Sequence, residues 1–294
     1  MITVFTPMML LLLLLGVMLG VFRLAKWKRK RKGKRKAFEG LLLRSPGHSL
    51  AREIQDISDD INADVATACM GLLVFYSGYI SLNGAMALKN WMSFGFWAIG
   101  ILVILYLLYR VWKHLNVRAQ KRIGLAGEMA VGEELNRLML DGYHVYHDFP
   151  TGRFNIDHIV VGPSGVFAVE TKAPSKGSRG KRTDEAKVIY DGKRLTFPSW
   201  TTTEPIDQAK AQAAWMSKWL SGAVGDPVKV SPMVTIPGWY IERKRPNGIP
   251  VLNPKQVKAY LDGKKEAALS ETMIKRMCHQ LEQKCRDVDL WDWY

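Results

Sequence analysis

The 294-residue chain predicts an α/β domain set behind an all-α, membrane-crossing region. Two observations predict this. The first 112 residues hold three apolar stretches of bilayer length. From about Gly124 onward, apolar residues recur first at helical and then at strand spacing, with turn residues between the runs. Helix, strands, helix and strand in that order predict a three-layer domain.

Residues 2–22 are nearly uninterrupted hydrocarbon, so 1–25 is expected to be a first transmembrane helix, followed by a dense basic run over 26–36. No basic segment precedes the apolar stretch and no small-x-small site follows it, which argues for an anchor and against a cleaved signal peptide. The basic loop 26–64 contains a linker, 39–46, with a turn signal at Ser45-Pro46. Ser49 then caps a short helix whose stripe is Leu50, Ile54, Ile57 and Ile61, set among Glu53, Asp56, Asp59 and Asp60. An acidic polar face suits packing on protein better than on anionic lipid. Residues 65–112 read as a transmembrane helical hairpin, with spans near 65–82 and 94–112 and a short loop holding Lys89 and Trp91.

Arg and Lys crowd the side after the first span, and Arg110, Lys113, Arg118, Lys121 and Arg122 cluster at the end of the third. The positive-inside rule therefore predicts a multi-pass protein of the cell inner membrane, with the domain that follows in the cytoplasm and the N-terminus and the Lys89 loop outside.

After a linker at 113–123, the α/β domain is expected over 124–240. Met129, Val131, Leu135, Leu138 and Met139 predict a helix over 125–140. Glu128 falls in its first turn, where the helix macrodipole favours a carboxylate. Residues 143–149 predict a strand, and 156–161 with 166–169 a β-hairpin turning at Gly162, Pro163, Ser164 and Gly165. Pairing across that turn brings Asp157, Glu170 and Lys172 to one end of the hairpin. Two carboxylates there suit a hard divalent cation, and a neighbouring ammonium can orient an attacking water. They equally suit a structural salt bridge, because acid-x-Lys triplets recur at Glu185, Asp191, Glu242, Asp262 and Glu282. His158 alternates to the opposite face and is expected to pack. His48, His114, His144, His147 and His279 show no metal-ligand spacing.

The Gly/Ser-rich loop 173–183 carries Lys176, Arg179, Lys181 and Arg182, which are phosphate-contact candidates. A hairpin over 188–197 turning at Asp191-Gly192 and a strand over 228–236 follow. Residues 241–294 read as a helical extension, with a short helix from Asn253-Pro254 to near Gly263 and a longer one over 270–284. Trp291, Trp293 and Tyr294 end an acidic, aromatic tail. Three cysteines, widely spaced, exclude a zinc module and a disulfide framework.

Gly124-x-x-Gly127-Glu128-x-x-Val131, then Asn155-Ile-Asp157-His-Ile-Val-Val, then Gly165-Val-Phe-Ala-Val-Glu170-Thr-Lys172 resemble, in this order and spacing, the nuclease-related domain (NERD) family. That family is placed in the PD-(D/E)xK, restriction-endonuclease-like superfamily. The resemblance implies a core of helix, three strands, helix and strand, and phosphodiester hydrolysis with Mg²⁺ or Mn²⁺. It assigns Glu128, Asp157 and Glu170 as acidic, metal-holding residues and Lys172 as the catalytic lysine. Glu204-Pro-Ile-Asp-Gln208-Ala209 looks like the family's Asn-Pro-x-x-Gln helix, with Glu204 where asparagine is usual and Gln208 as an auxiliary polar residue.

The net charge of +15 lies mostly in the membrane-associated part: residues 1–122 hold 18 Lys and Arg against 6 Asp and Glu, and 123–294 hold 24 against 21. Anionic lipid and topology account for the excess. Nucleic-acid binding must then come from local clusters, 176–182 or 243–245. The expectation is a membrane-anchored, metal-dependent nuclease acting on nucleic acid, DNA favoured over RNA. The alternative is a non-catalytic nucleic-acid-binding or scaffold module tethered to the bilayer. A protein partner or a second copy would dock through the transmembrane or C-terminal region.

Overall fold

The computed structural model describes residues 40–86, 90–175, 186–245, 247–264 and 269–289. The predicted first transmembrane helix, the basic run 26–36, Lys89, the phosphate-contact candidates Lys176, Arg179, Lys181 and Arg182, and Trp291, Trp293 and Tyr294 lie outside the described residues. In chain order the elements are β1 (Leu42–Leu43), α1 (His48–Met86), α2 (Asn90–Asn136), a 3-10 turn (Arg137–Asp141), β2 (His144–Pro150), β3 (Asn155–Gly162), β4 (Gly165–Thr171), β5 (Lys187–Tyr190), β6 (Leu195–Thr196), β7 (Thr201–Thr202), α3 (Glu204–Val224), β8 (Val230–Thr235), β9 (Tyr240–Arg243), β10 (Val251–Leu252), a 3-10 turn (Pro254–Gln256), α4 (Val257–Asp262), α5 (Glu271–Cys285) and β11 (Arg286–Val288). They form two compact units, one of residues 55–119 and one of Gly40–Ile54 with 120–289.

In the first unit, α1 and α2 are long and apolar enough to cross a membrane. Leu72, Leu73, Ile80, Ile99, Leu102, Leu105 and Leu108 are exposed, the inverse of a soluble helix pair. Phe75 meets Trp97 edge-on at 5.9 Å, and a side chain at Gly100 would overlap the Phe75 ring, so the glycine permits close approach. Asp64 is buried beside Arg110 at 3.1 Å and His114 at 3.4 Å.

Two predicted boundaries are corrected here. The Ser49-capped helix and the second span are one helix, and so are the third span, the predicted linker 113–123 and the predicted helix 125–140, as far as Asn136. No proline interrupts 113–126, and its Lys, Arg, Leu, Ala and Gln are good helix formers. Glu128 therefore sits deep inside a continuous helix, and the macrodipole explanation for it fails.

The second unit is built on a five-stranded sheet of order β10-β8-β4-β3-β2. β2, β3 and β4 are antiparallel, and β8 joins β4 in parallel after the α3 crossover. Ile159, Val161, Val166 and Ala168 face Ala213, Met216 and Leu220 of α3 and Met277 and Leu281 of α5. Val160, Phe167, Val169 and Met233 face Val131 and Leu135 at the end of α2 and Leu138 of the 3-10 turn that follows it. The result is the predicted three-layer order of helix, three strands, helix and strand. Gly142 ends the α2 region in the left-handed conformation, φ 81°, and Gly225 does the same for α3, φ 78°.

A second sheet, β7-β6-β5-β9, packs Val188, Tyr190, Leu195 and Phe197 on Ile206, Val234 and Ile236. The described residues of the predicted helical extension 241–294 are part of the domain: β9 joins this second sheet, β10 the main sheet, and α5 supplies core. Gly40–Ile54, predicted as linker and surface helix, also belongs to this unit, because β1 pairs with β11.

Candidate active site

Strand register dictates the site's geometry. His158 pairs with Val169, so the next step down the hairpin sets Asp157 opposite Glu170. Thr171 donates its backbone N–H to Asp157 Oδ2 at 2.7 Å, fixing that carboxylate across the strand gap. The Lys172 backbone N–H donates to Thr235 O at 2.9 Å, which carries the ladder one residue past β4 and holds the lysine at the sheet's end. Glu128 arrives from α2. A side chain at Gly127 would overlap Ala173, so the glycine lets α2 lie directly against the residue after Lys172.

The four predicted residues Glu128, Asp157, Glu170 and Lys172 thus lie close enough to act on one another's charge. Glu170 is 4 % exposed, whereas Glu128, Asp157 and Lys172 are half-buried, so the group has a dry floor and an open mouth. Burial pushes Glu128 up to about 8, with repulsion from Asp157 next in size. Burial pushes Asp157 up to about 7, opposed by its Thr171 hydrogen bond. Glu170 is raised well above the usual carboxylate range by burial and by Asp157. Carboxylates that raise one another share a need for positive charge.

Gln212 of α3 answers part of that need by donating Nε2–H to Glu170 Oε2 at 2.7 Å. It is 2 % exposed, and its own Oε1 is buried with no hydrogen-bond partner among the described residues. Gln208, the residue predicted for an auxiliary role, is exposed one turn earlier. The 3.6-residue period carries the same helix face from Gln208 to Gln212, a signal present in the sequence. Lys172 Nζ lies 3.3 Å from Glu204 Oε2 at the start of α3, so the acid found in place of asparagine pairs with the candidate catalytic lysine.

Behind the hairpin, His158 is fully buried as predicted, but in a polar chain. His147 Nε2 meets Asn136 Oδ1 at 3.0 Å, His147 Nδ1 meets His158 Nδ1 at 2.8 Å, and His158 Nε2 meets Thr171 Oγ1 at 3.1 Å. A carbonyl oxygen only accepts, so Nε2 of His147 carries its proton, His158 donates from Nδ1, and Thr171 donates to His158 Nε2. Burial lowers both imidazoles, His147 to about 4, which keeps them neutral. Asp148 lies on the other side of Asp157 in register, yet its φ of 49° turns it away. Its carboxylate accepts from Arg44 at 3.0 Å, Ser49 Oγ at 2.6 Å and Asn155 at 3.1 Å.

Among the described residues, no three carboxylate, imidazole or thiol groups converge into a ready-made metal shell. The donor chemistry nonetheless fits a divalent cation: hard carboxylate oxygens from three elements, mutually raised, with an orphaned amide oxygen beside them.

The family model of the nuclease-related domain, NERD, matches residues 123–237. That range begins in α2, ends after β8 and includes every residue of the site. No curated protein and no solved structure matches the chain significantly.

Proposed function

We propose that the nuclease-related domain carried by residues 123–237 is a metal-dependent nuclease held at a membrane. The observation that carries this is the electrostatic proximity of Glu128, Asp157 and Glu170, brought from a helix and two strands, each with its carboxyl raised by burial and by a neighbouring acid. Asp157 and Glu170 would hold Mg²⁺ or Mn²⁺, with Glu128 completing or orienting the shell. A cation bound there supplies Lewis acidity to the phosphodiester and lowers the barrier to attack by water. Lys172 sets an ammonium at the open mouth, where it orients the water and meets charge developing on phosphate oxygens. Gln212 fixes the rotamer of Glu170, and the Thr171 N–H fixes that of Asp157.

The helices α1 and α2 would anchor the chain in the inner membrane, with the site on the cytoplasmic side where basic flanks belong. Tyr106, Tyr109 and Trp112 are exposed beside Arg110 and Lys113, as aromatic residues are at a bilayer interface.

The Lys172–Glu204 pair favours one other reading, a tethered nucleic-acid-binding or scaffold module in which the lysine is neutralised. Cleavage decides between them. The purified full-length chain in detergent is incubated with labelled single- and double-stranded DNA and RNA in Mg²⁺, Mn²⁺ or EDTA, beside Asp157→Ala and Lys172→Ala. Metal-dependent cleavage lost in both variants supports the nuclease, and binding without cleavage supports the scaffold.

A further inference from the structure

We propose that Trp200 is a stacking platform for an unpaired base, so that the polymer recognised at the site is single-stranded nucleic acid. The choice of polymer rests on the nuclease reading; the position of the platform rests on separate observations.

Trp200 closes the turn between β6 and β7, where the Phe197 N–H donates to its carbonyl at 2.8 Å. Its ring lies on Phe197 at 4.3 Å and 9°, in parallel stacking. Phe197 in turn stands edge-on to Trp239 at 5.2 Å and 87°, and Trp239 Nε1 donates to Pro174 O at 3.3 Å. Phe197 and Trp239 are buried, at 3 % and 4 %, while Trp200 is 39 % exposed. Three rings therefore run outward from the backbone two residues beyond Lys172, and only the last reaches solvent.

Two of the chain segments that flank this sheet border the site. The chain leaves it through Lys172 and Pro174, and four residues after Trp200 it re-enters at Glu204, whose carboxylate meets Lys172. An exposed ring backed by a parallel neighbour is rigid, so a base stacking on it loses little protein freedom. Bases in a duplex already stack on one another, whereas an unpaired base offers a free face. The same sheet and its turns carry Lys187, Lys193, Arg194, Arg243, Lys244 and Arg245 against Asp191 and Glu242, an excess that complements phosphate.

A cover for Phe197 is the other role open to Trp200, and leucine separates the two because it covers without a π face. Binding of the full-length chain to labelled single-stranded and duplex oligonucleotides is measured by fluorescence anisotropy in EDTA, where metal-dependent cleavage is silent. Trp200→Phe should hold single strands within about twofold of the parent, while Trp200→Leu and Trp200→Ala should weaken them about tenfold and leave duplex affinity unchanged. Equal single-strand affinity in Trp200→Leu and the parent, equal loss on both polymers, or no single-strand binding by the parent would each overturn the proposal. Cleavage in Mn²⁺ is read separately. A chain that binds through Trp200 and never cuts defeats the nuclease reading alone; one that cuts and is indifferent to Trp200 defeats this proposal alone.

Discussion

Gln212 donates its side-chain N–H to Glu170 at 2.7 Å from the buried face of α3, and that bond opposes the burial and repulsion that raise Glu170. The sheet supplies the acid and the crossover helix supplies the group that keeps it usable. Gln212→Ala should therefore lower cleavage at neutral pH about 10- to 100-fold, the range for residues that support metal ligands. The pH–rate profile should also move to higher pH, because Glu170 loses the donor that favours its ionised form. An unshifted profile would make Gln212 a packing residue only.

The raised carboxylates make stability depend on pH in a stated direction. Glu128 and Asp157 ionise near 8 and 7 in the folded chain and near 4 when unfolded. Below about pH 4 both states are protonated and the groups contribute nothing. Between there and pH 8 the folded state holds more protons, so stability falls as pH rises. Buried, neutral His147 and His158 oppose this slope below about pH 6.5, so thermal melts in EDTA should show Tm declining from about pH 6.5 to pH 8. Mn²⁺ should restore Tm more at pH 8 than at pH 5, and Glu128→Gln should flatten the EDTA slope. A Tm that rises over this range would contradict the assignment.

Glu204 partly neutralises Lys172 across 3.3 Å, in a pair that is 69 % exposed on the glutamate side. Exposed pairs are worth about 0–1 kcal/mol, so Glu204→Gln should leave Tm almost unchanged. Removing one negative charge beside the lysine should tighten nucleic-acid binding about fivefold at low salt, with the gain shrinking as salt is added. Isotherms at two ionic strengths check this.

Arg44 reaches Asp148 at 3.0 Å and Asp287 at 2.7 Å, joining the segment before α1 to β2 and β11. Asp148 is 4 % exposed and held at positive φ, so Arg44→Ala leaves a buried charge without its partner. The loss should be about 3 kcal/mol. Adding Asp148→Asn should recover part of it, which denaturant melts of the single and double variants would show. By the same argument, a truncation starting near Leu115 removes Arg44, Ser49 and β1 and should not give a stable domain.

The core order of the domain and the nearness of Asp157, Glu170 and Lys172 were legible because they rest on local pattern, whereas Glu128 entered only through the family resemblance. Alternation put Asp157 and Glu170 on one face, turn chemistry placed Gly162 to Gly165, and the Gly127-Glu128 pair stood in a helix. What was not legible depends on contacts between residues far apart in sequence. Arg44 and Asp287 are 243 residues apart, and no periodicity links them. His158 was correctly turned away from the carboxylates, yet its bonds to His147 and Thr171 need the β2–β3 register to be known. The false break at 113–123 came from a change in composition, whereas the helix follows backbone propensity and runs through it.

The most direct measurement is the initial rate of oligonucleotide cleavage against Mn²⁺ concentration for the full-length chain and for Glu170→Gln, which keeps the shape of the side chain and removes its charge. Cleavage that saturates with Mn²⁺, vanishes in EDTA and falls about a hundredfold or more in the variant is the expected result. Cleavage equal in the two proteins, or unchanged by EDTA, would contradict a metal-dependent nuclease at this site.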